Sequence, residues 1–195
     1  MVVRATASTL TLARRRLPQA FPLHRIAFRV VKLSSETIVE ASADRVWEVV
    51  GHQFAHIGEW ARAIPASRAR DEAGATAAPV AGRVCETGVS MFPEVEETIV
   101  AYNEATRTLS YVGAGLPAFV AEARNRWEVT PIDDHHARVR LDATVQTRGI
   151  LGQLLAVPFR LWARRSGARM LDDLKHYVEH GRPSPHKERQ LGEDA

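Results

Sequence analysis

From Ile150 to His180 the chain reads ILGQLLAVPFRLWARRSGARMLDDLKHYVEH, with no strand-like alternation and apolar residues recurring at helical spacing. Leu151, Leu154, Leu155, Phe159 and Trp162 follow steps of three and four, and Leu171, Leu174 and Val178 resume the pattern, which marks one buried stripe. Pro158 lacks an amide hydrogen, so it either kinks one helix or opens a second in its first turn. The spacing predicts a short helix followed by a long one from Pro158 to His180, which at about 1.5 Å per residue runs roughly 34 Å. A helix of that length needs a partner as wide as itself. Arg160, Arg164, Arg165 and Arg169 fall on the remaining surface with Asp172 and Asp173 close behind, and a solvated face of paired charges explains them better than a nucleic-acid surface.

The partner is supplied by the preceding residues, where the period changes to two. GRVCETGV, EVEETIVAY, TLSYVGA, FVAEARNRWEV and ARVRLDATVQT read as strands, separated by turn signals at Phe92-Pro93, Asn103-Glu104, Gly115 to Pro117 and Pro131 to His135. Connections this short require antiparallel neighbours, because a parallel crossover needs a dozen or more residues. Earlier, Val31 to Ala41 forms a first strand and Ser42 caps a helix whose apolar face is Val46, Trp47, Val49 and Val50. A second short helical segment, HQFAHIGEWARAIP, closes before Pro65, and residues 66 to 82 hold a strand near Ser67 to Arg70 and then a loop. Strand, two short helices, a meander and a long final helix make an α+β chain, with helices on one face of an antiparallel sheet.

With 195 residues, 45% hydrophobic and 25% charged, the chain has room for one domain with one core. Its net charge of +3 is uneven: residues 1 to 30 carry six arginines and no acid, leaving 20 basic against 23 acidic residues beyond them. Nothing in the body then resembles the global basic footprint of a nucleic-acid binder. That arm has the Arg, Ser, Thr and Leu composition of a transit peptide, but an untranslated or disordered segment outside the fold is the preferred reading. The domain is placed at 31 to 181 and a flexible tail at 182 to 195. One cysteine, Cys85, excludes an internal disulfide and fits a reducing, cytoplasmic setting. No apolar run approaches the roughly 18 residues of a membrane span.

Few residues stand out for chemistry. In the strand Phe119 to Val129, the residues Phe119, Ala121, Ala123, Asn125, Trp127 and Val129 face one way, and Asn125 is the polar exception among them. A buried amide must find a partner, either a ligand or a neighbouring group. Tyr111 offers a phenol among apolar residues, and Glu97 shares the parity of Val95 and Ile99, although an exposed or salt-bridged glutamate is the commoner outcome. His52 and His56 stand at the spacing of two metal ligands with Glu59 as a third, but Gln53 replaces the general base of a zinc protease, and no metal site is expected. Cys85 reads as a structural thiol, and Trp47 and Trp162 as core residues within helical stripes. No phosphate loop, serine elbow or CxxC pair is present.

The order of elements, the join Ala41-Ser42-Ala43-Asp44-Arg45-Val46-Trp47, Trp60 closing the next helix, Asn125-Arg126-Trp127 and the ending LDDLKHYVE resemble the START-like (SRPBCC) superfamily, in particular its polyketide cyclase/dehydrase and lipid-transport branch. The resemblance spans Val31 to Gly181. It implies a helix-grip fold, in which a curved antiparallel sheet wraps around the C-terminal helix and encloses a cavity for a hydrophobic small molecule: a lipid, sterol, quinone or polyketide. In that fold Phe54, Ile57 and Trp60 would form a lid and Leu155, Phe159 and Trp162 the helix wall, while Tyr111, Phe119, Asn125 and Trp127 would line the sheet. No cofactor is needed. The rival expectation is a polyketide cyclase or dehydrase using Tyr111, Asn125 and Glu97 for proton transfer, and a third is an interaction module using the basic helix face.

Overall fold

The structure is a computed structural model that describes residues 28–70, 76–90, 92–149 and 156–193. Strand β1 (Phe28–Val39) pairs antiparallel along its whole length with β7 (Ala137–Arg148). Between them in sequence lie β2 (Ser67–Ala69), β3 (Gly82–Glu86), β4 (Glu94–Asn103), β5 (Thr108–Ala114) and β6 (Val120–Pro131). The spatial order is β1-β7-β6-β5-β4-β3-β2, with each neighbour antiparallel to the next. The meander expected from the alternating segments is therefore present, and β1 joins it at the far edge. β1 begins at Phe28, so its first three residues belong to the segment expected to lie outside the fold.

The two short helices expected after β1 are present, separated at Gln53, whose backbone is not helical. Helix α1 (Ala43–Trp47) starts under Ser42, whose hydroxyl accepts from the Arg45 amide at 3.3 Å. It runs into a π turn over Glu48–His52 and a 3₁₀ segment over Phe54–Glu59. Gly51 explains the wider turn: a Cβ there would sit 2.5 Å from the Trp47 ring, so only glycine lets the backbone pass over the indole. Val46, Trp47, Val49, Phe54, Ile57 and Trp60 are all buried, in one core with Val39, Leu109, Trp127 and Val139 of the sheet.

Helix α2 (Ala156–His180) is 25 residues long, about 37 Å, with Pro158 in its first turn. The short helix expected before Pro158 lies outside the described residues. Leu171, Leu174 and Val178 enter the core as their spacing predicts. Gly167 allows α2 to approach β1, since a Cβ there would lie 2.9 Å from the Ser35 hydroxyl. Asp173, expected on the solvated face, is instead buried: Arg62 donates to it from Nε at 2.8 Å and from Nη2 at 2.6 Å, and from its backbone amide at 2.9 Å.

The residues after Gly181 correct the expectation of a flexible tail. They form helix α3 (Pro185–Glu193), anchored by a lysine whose side chain is fully buried. Lys187 Nζ donates to the carbonyls of Ile64 at 2.8 Å and Pro65 at 3.0 Å, and Ser184 donates to Asp173 at 3.3 Å. A polar composition hid this because the lysine head is satisfied by backbone oxygens that sequence patterning does not see.

Candidate functional site

The face of the sheet that meets α2 carries rows of cross-strand partners, and these rows define the site. In one row Leu33, Ala143, Asn125, Tyr111 and Ile99 lie opposite one another from β1 across to β4. In the adjacent row stand Val31, Val145, Ala123, Gly113, Glu97 and, on β3, Arg83. Gly113, Ala123 and Ala143 are small, and with Leu33, Asn125 and Leu141 they are only half-buried. Among the described residues the sheet thus presents a partly exposed, mainly apolar floor with the polar side chain of Asn125 at its middle. Among the described residues its amide has no hydrogen-bonding partner.

At the β3–β4 end the floor becomes charged. Arg83, 3% exposed, donates from Nε to Glu97 Oε2 at 2.6 Å and from Nη1 to the Phe54 carbonyl at 2.7 Å. Its guanidinium lies 3.9 Å from the centre of the Phe54 ring, which meets the Tyr111 ring edge-on at 5.2 Å. Burial opposes the charge on Arg83, but the facing Glu97 carboxylate outweighs it and holds the guanidinium pKa above its ordinary value. Burial also raises the Tyr111 pKa, reinforced by the Glu97 charge, so the phenol keeps its proton. Cys85 is pushed up to about 12 by burial, and its thiol lies 3.9 Å from the same carboxylate. It is a protonated structural thiol and not a nucleophile.

The structure brings together Phe54, Tyr111, Asn125 and Trp127, and places Ile57 and Trp60 in the same core. It does not do so for the others. Phe119 precedes β6, and a bulge between Val120 and Glu122 breaks the alternation expected from Phe119 onward, leaving Ala121 exposed. Trp162 corrects the expectation of a core residue and helix wall, because it is 62% exposed on the outer side of α2. Leu155 and the Phe159 side chain lie outside the described residues. The residue missed altogether is Arg83. The available signal was Glu97: a carboxylate at an inward parity needs a facing cation, and the only one in the neighbouring strand GRVCE is Arg83.

Two other features lie away from this floor. A groove of about 530 Å³ runs beside Ala55, Ser67, Tyr177 and Pro183, and no expected ligand contact lines it. His52 and His56 make carboxylate pairs. His56 Nδ1 is 2.6 Å from Glu59, and His52 bridges Glu48 at 2.7 Å and Glu104 at 2.9 Å. Glu104 also accepts from the Trp47 indole at 3.0 Å and from the Tyr102 hydroxyl, so the network ties the π turn to the β4–β5 hairpin.

The network has a pH signature. The hydrogen bond to Glu48 raises the His52 pKa above its ordinary 6.5, so its contribution is complete below that value and lost as pH rises through the raised one. The bond to His52 lowers the Glu48 pKa and the Trp47 indole lowers that of Glu104, so both contribute above their ordinary 4.5 and fade as pH falls through the lowered values. The network is therefore complete between 4.5 and 6.5. Thermal unfolding followed across pH is expected to show stability falling on the alkaline side of this window in the native protein and a flatter alkaline limb in His52→Gln. Identical profiles would remove His52 from the account.

A family model described as polyketide cyclase/dehydrase and lipid transport matches residues 30–179. Solved structures share the fold. A Thermobifida fusca protein is 26% identical with a TM-score of 0.54, over 76% of this chain and 95% of its own. A START superfamily protein from Mycobacterium smegmatis is 14% identical with a TM-score of 0.59, over 76% of this chain and 97% of its own. An aromatase/cyclase from a Streptomyces species is 16% identical with a TM-score of 0.55, over 80% of this chain and 100% of its own. No curated protein matches the sequence.

Proposed function

The chain belongs to the polyketide cyclase/dehydrase and lipid transport family, and from that premise we propose that it binds a hydrophobic small molecule against the inner face of its sheet. The observation that carries this reading is Asn125, a half-buried amide without a described protein partner, set among Ala123, Ala143 and Gly113. A ligand laid over these residues would gain about 25 cal/mol for each Å² of apolar surface it buries, and a polar atom on it would satisfy the amide. Tyr111, opposite Asn125 in register, offers a second donor. A lipid, sterol, quinone or polyketide-like molecule has the required chemistry, with one polar group on an extended apolar body.

Native mass spectrometry of the purified chain, followed by solvent extraction and identification of whatever it carries, tests the reading. A bound hydrophobic molecule whose affinity falls up to about tenfold in Asn125→Leu, the worth of one neutral hydrogen bond, is the expected result. A protein that is empty and binds none of a panel of lipids, sterols, quinones and polyketides would defeat it. The second reading, turnover of a polyketide, is favoured by the protonated Tyr111 phenol beside the Glu97 carboxylate, an acid and an anion at one end of the floor. The aromatase/cyclase relative makes an aromatic polyketide precursor the substrate to try. Product formation lost in Tyr111→Phe with binding retained would assign the phenol a catalytic part.

A further inference from the structure

We propose that the N-terminal half of α2, together with the adjoining edge of β1, is a docking surface for an anionic lipid bilayer. The surface combines exposed apolar side chains with a run of cations. Val157, Leu161 and Trp162 are each more than half exposed. Arg160, Arg164, Arg165 and Arg169 lie among them, and no acidic residue occurs from Ala143 to Leu171. Val157 and Leu161, one helical turn apart, share their face with Arg160 and Arg164, also one turn apart. β1 continues the pattern: Phe28 to Ser35 contains Arg29 and Lys32 and no acid. A groove of about 380 Å³ between the two elements is bordered by Arg29, Val30 and Lys32 on the strand and by Arg160, Leu161 and Arg164 on the helix.

Water as the only neighbour would suit the arginines but not the exposed indole and aliphatic side chains. A packed protein core would suit the apolar groups but not the arginines. The boundary between headgroups and acyl chains suits both, because apolar side chains sink about 5–10 Å into it while guanidinium groups stay at the phosphates. Arginine is well matched to phosphate, which it can engage with two parallel hydrogen bonds. Charge complementarity selects an anionic membrane over a neutral one, and beyond residue 30 the chain carries more acids than bases, so the basic patch also orients the molecule with its remaining surface away from the membrane. The inference does not depend on which molecule the sheet binds.

Flotation of the full chain with vesicles of phosphatidylcholine alone, and of phosphatidylcholine mixed with phosphatidylglycerol, tests it directly. Binding to the mixed vesicles only is expected. Of the four tryptophans, Trp47, Trp60 and Trp127 are buried, so a blue shift in emission on binding reports Trp162 entering the membrane. Replacing Arg160 and Arg164 together by glutamine is expected to weaken partitioning roughly thirtyfold, from about fivefold for each basic residue near the surface. Leu161→Ala with Trp162→Ala is expected to abolish the blue shift. All four side chains are exposed, and the unfolding temperatures of both variants, measured alongside, separate lost binding from lost fold. Absence of binding, equal binding to neutral vesicles, or binding untouched by either pair of substitutions would overturn the proposal. The last result is what the arginines of residues 1 to 27 would produce if they carried the interaction.

Discussion

Replacing Glu97 by leucine is expected to lower the unfolding free energy by about 3–5 kcal/mol, the cost of leaving a buried charge without its partner. Arg83 is the charge in question. It is 3% exposed, and Glu97 is the only carboxylate bonded to it among the described residues. Substituting both, Arg83→Met with Glu97→Leu, is expected to recover most of the loss, because an apolar pair of similar volume removes the desolvation cost along with the attraction. Recovery should stop about 1 kcal/mol short, since the Phe54 carbonyl loses the donor it has at 2.7 Å. Denaturant unfolding of the three variants gives the coupling energy directly. A single substitution costing less than the double would show that the guanidinium does not depend on Glu97.

Asp173→Ala is expected to cost about 3 kcal/mol and to loosen the C-terminal helix as well. One carboxylate holds the Arg62 guanidinium, the Arg62 amide and the Ser184 hydroxyl. Removing it leaves the last two without the acceptor they had, while the partly exposed Arg62 head can turn to water, which keeps the loss below that of a fully buried pair. Asp173→Asn keeps the shape and should cost about half as much. Hydrogen exchange provides the independent readout: amides of α3 should exchange faster in Asp173→Ala, because Ser184 and Lys187 fix that helix against the rest of the protein. Unchanged α3 protection would mean that Lys187 alone holds it.

The fold was legible because its signals are periodic. Alternation of two in TLSYVGA and ARVRLDATVQT, followed by steps of three and four at Leu171, Leu174 and Val178, leads to the observed sheet and helix without tertiary information. The site was less legible because its features are not periodic. The bulge in β6 adds a residue that alternation cannot register, so Phe119 and Ala121 were assigned to a face that they do not occupy. Arg83 reads as an exposed residue until the register with Glu97 is known. Trp162 makes a different point. Helical spacing says which residues share a side of the helix and not what that side meets, and the stripe of the first helical turns ends at a tryptophan facing outward. Asn125 was found because a polar residue in an apolar row is an exception the row itself defines.

The pairing of β1 with β7 has a consequence for biosynthesis. β1 is made before the other strands, yet among the described residues its partner in the sheet is Ala137–Arg148, so the strand must wait while the whole meander leaves the ribosome. At the usual 5–20 residues per second that interval is about 5–20 s. Over that time Phe28, Val30, Val31 and Leu33 form an extended apolar segment with open hydrogen-bonding groups on both edges, the kind of sequence that pairs with a neighbouring nascent chain. Arg29 and Lys32 interrupt it with charge, which places the same two cations that border the α2 groove in a second role, as guards of the earliest strand before its partner exists.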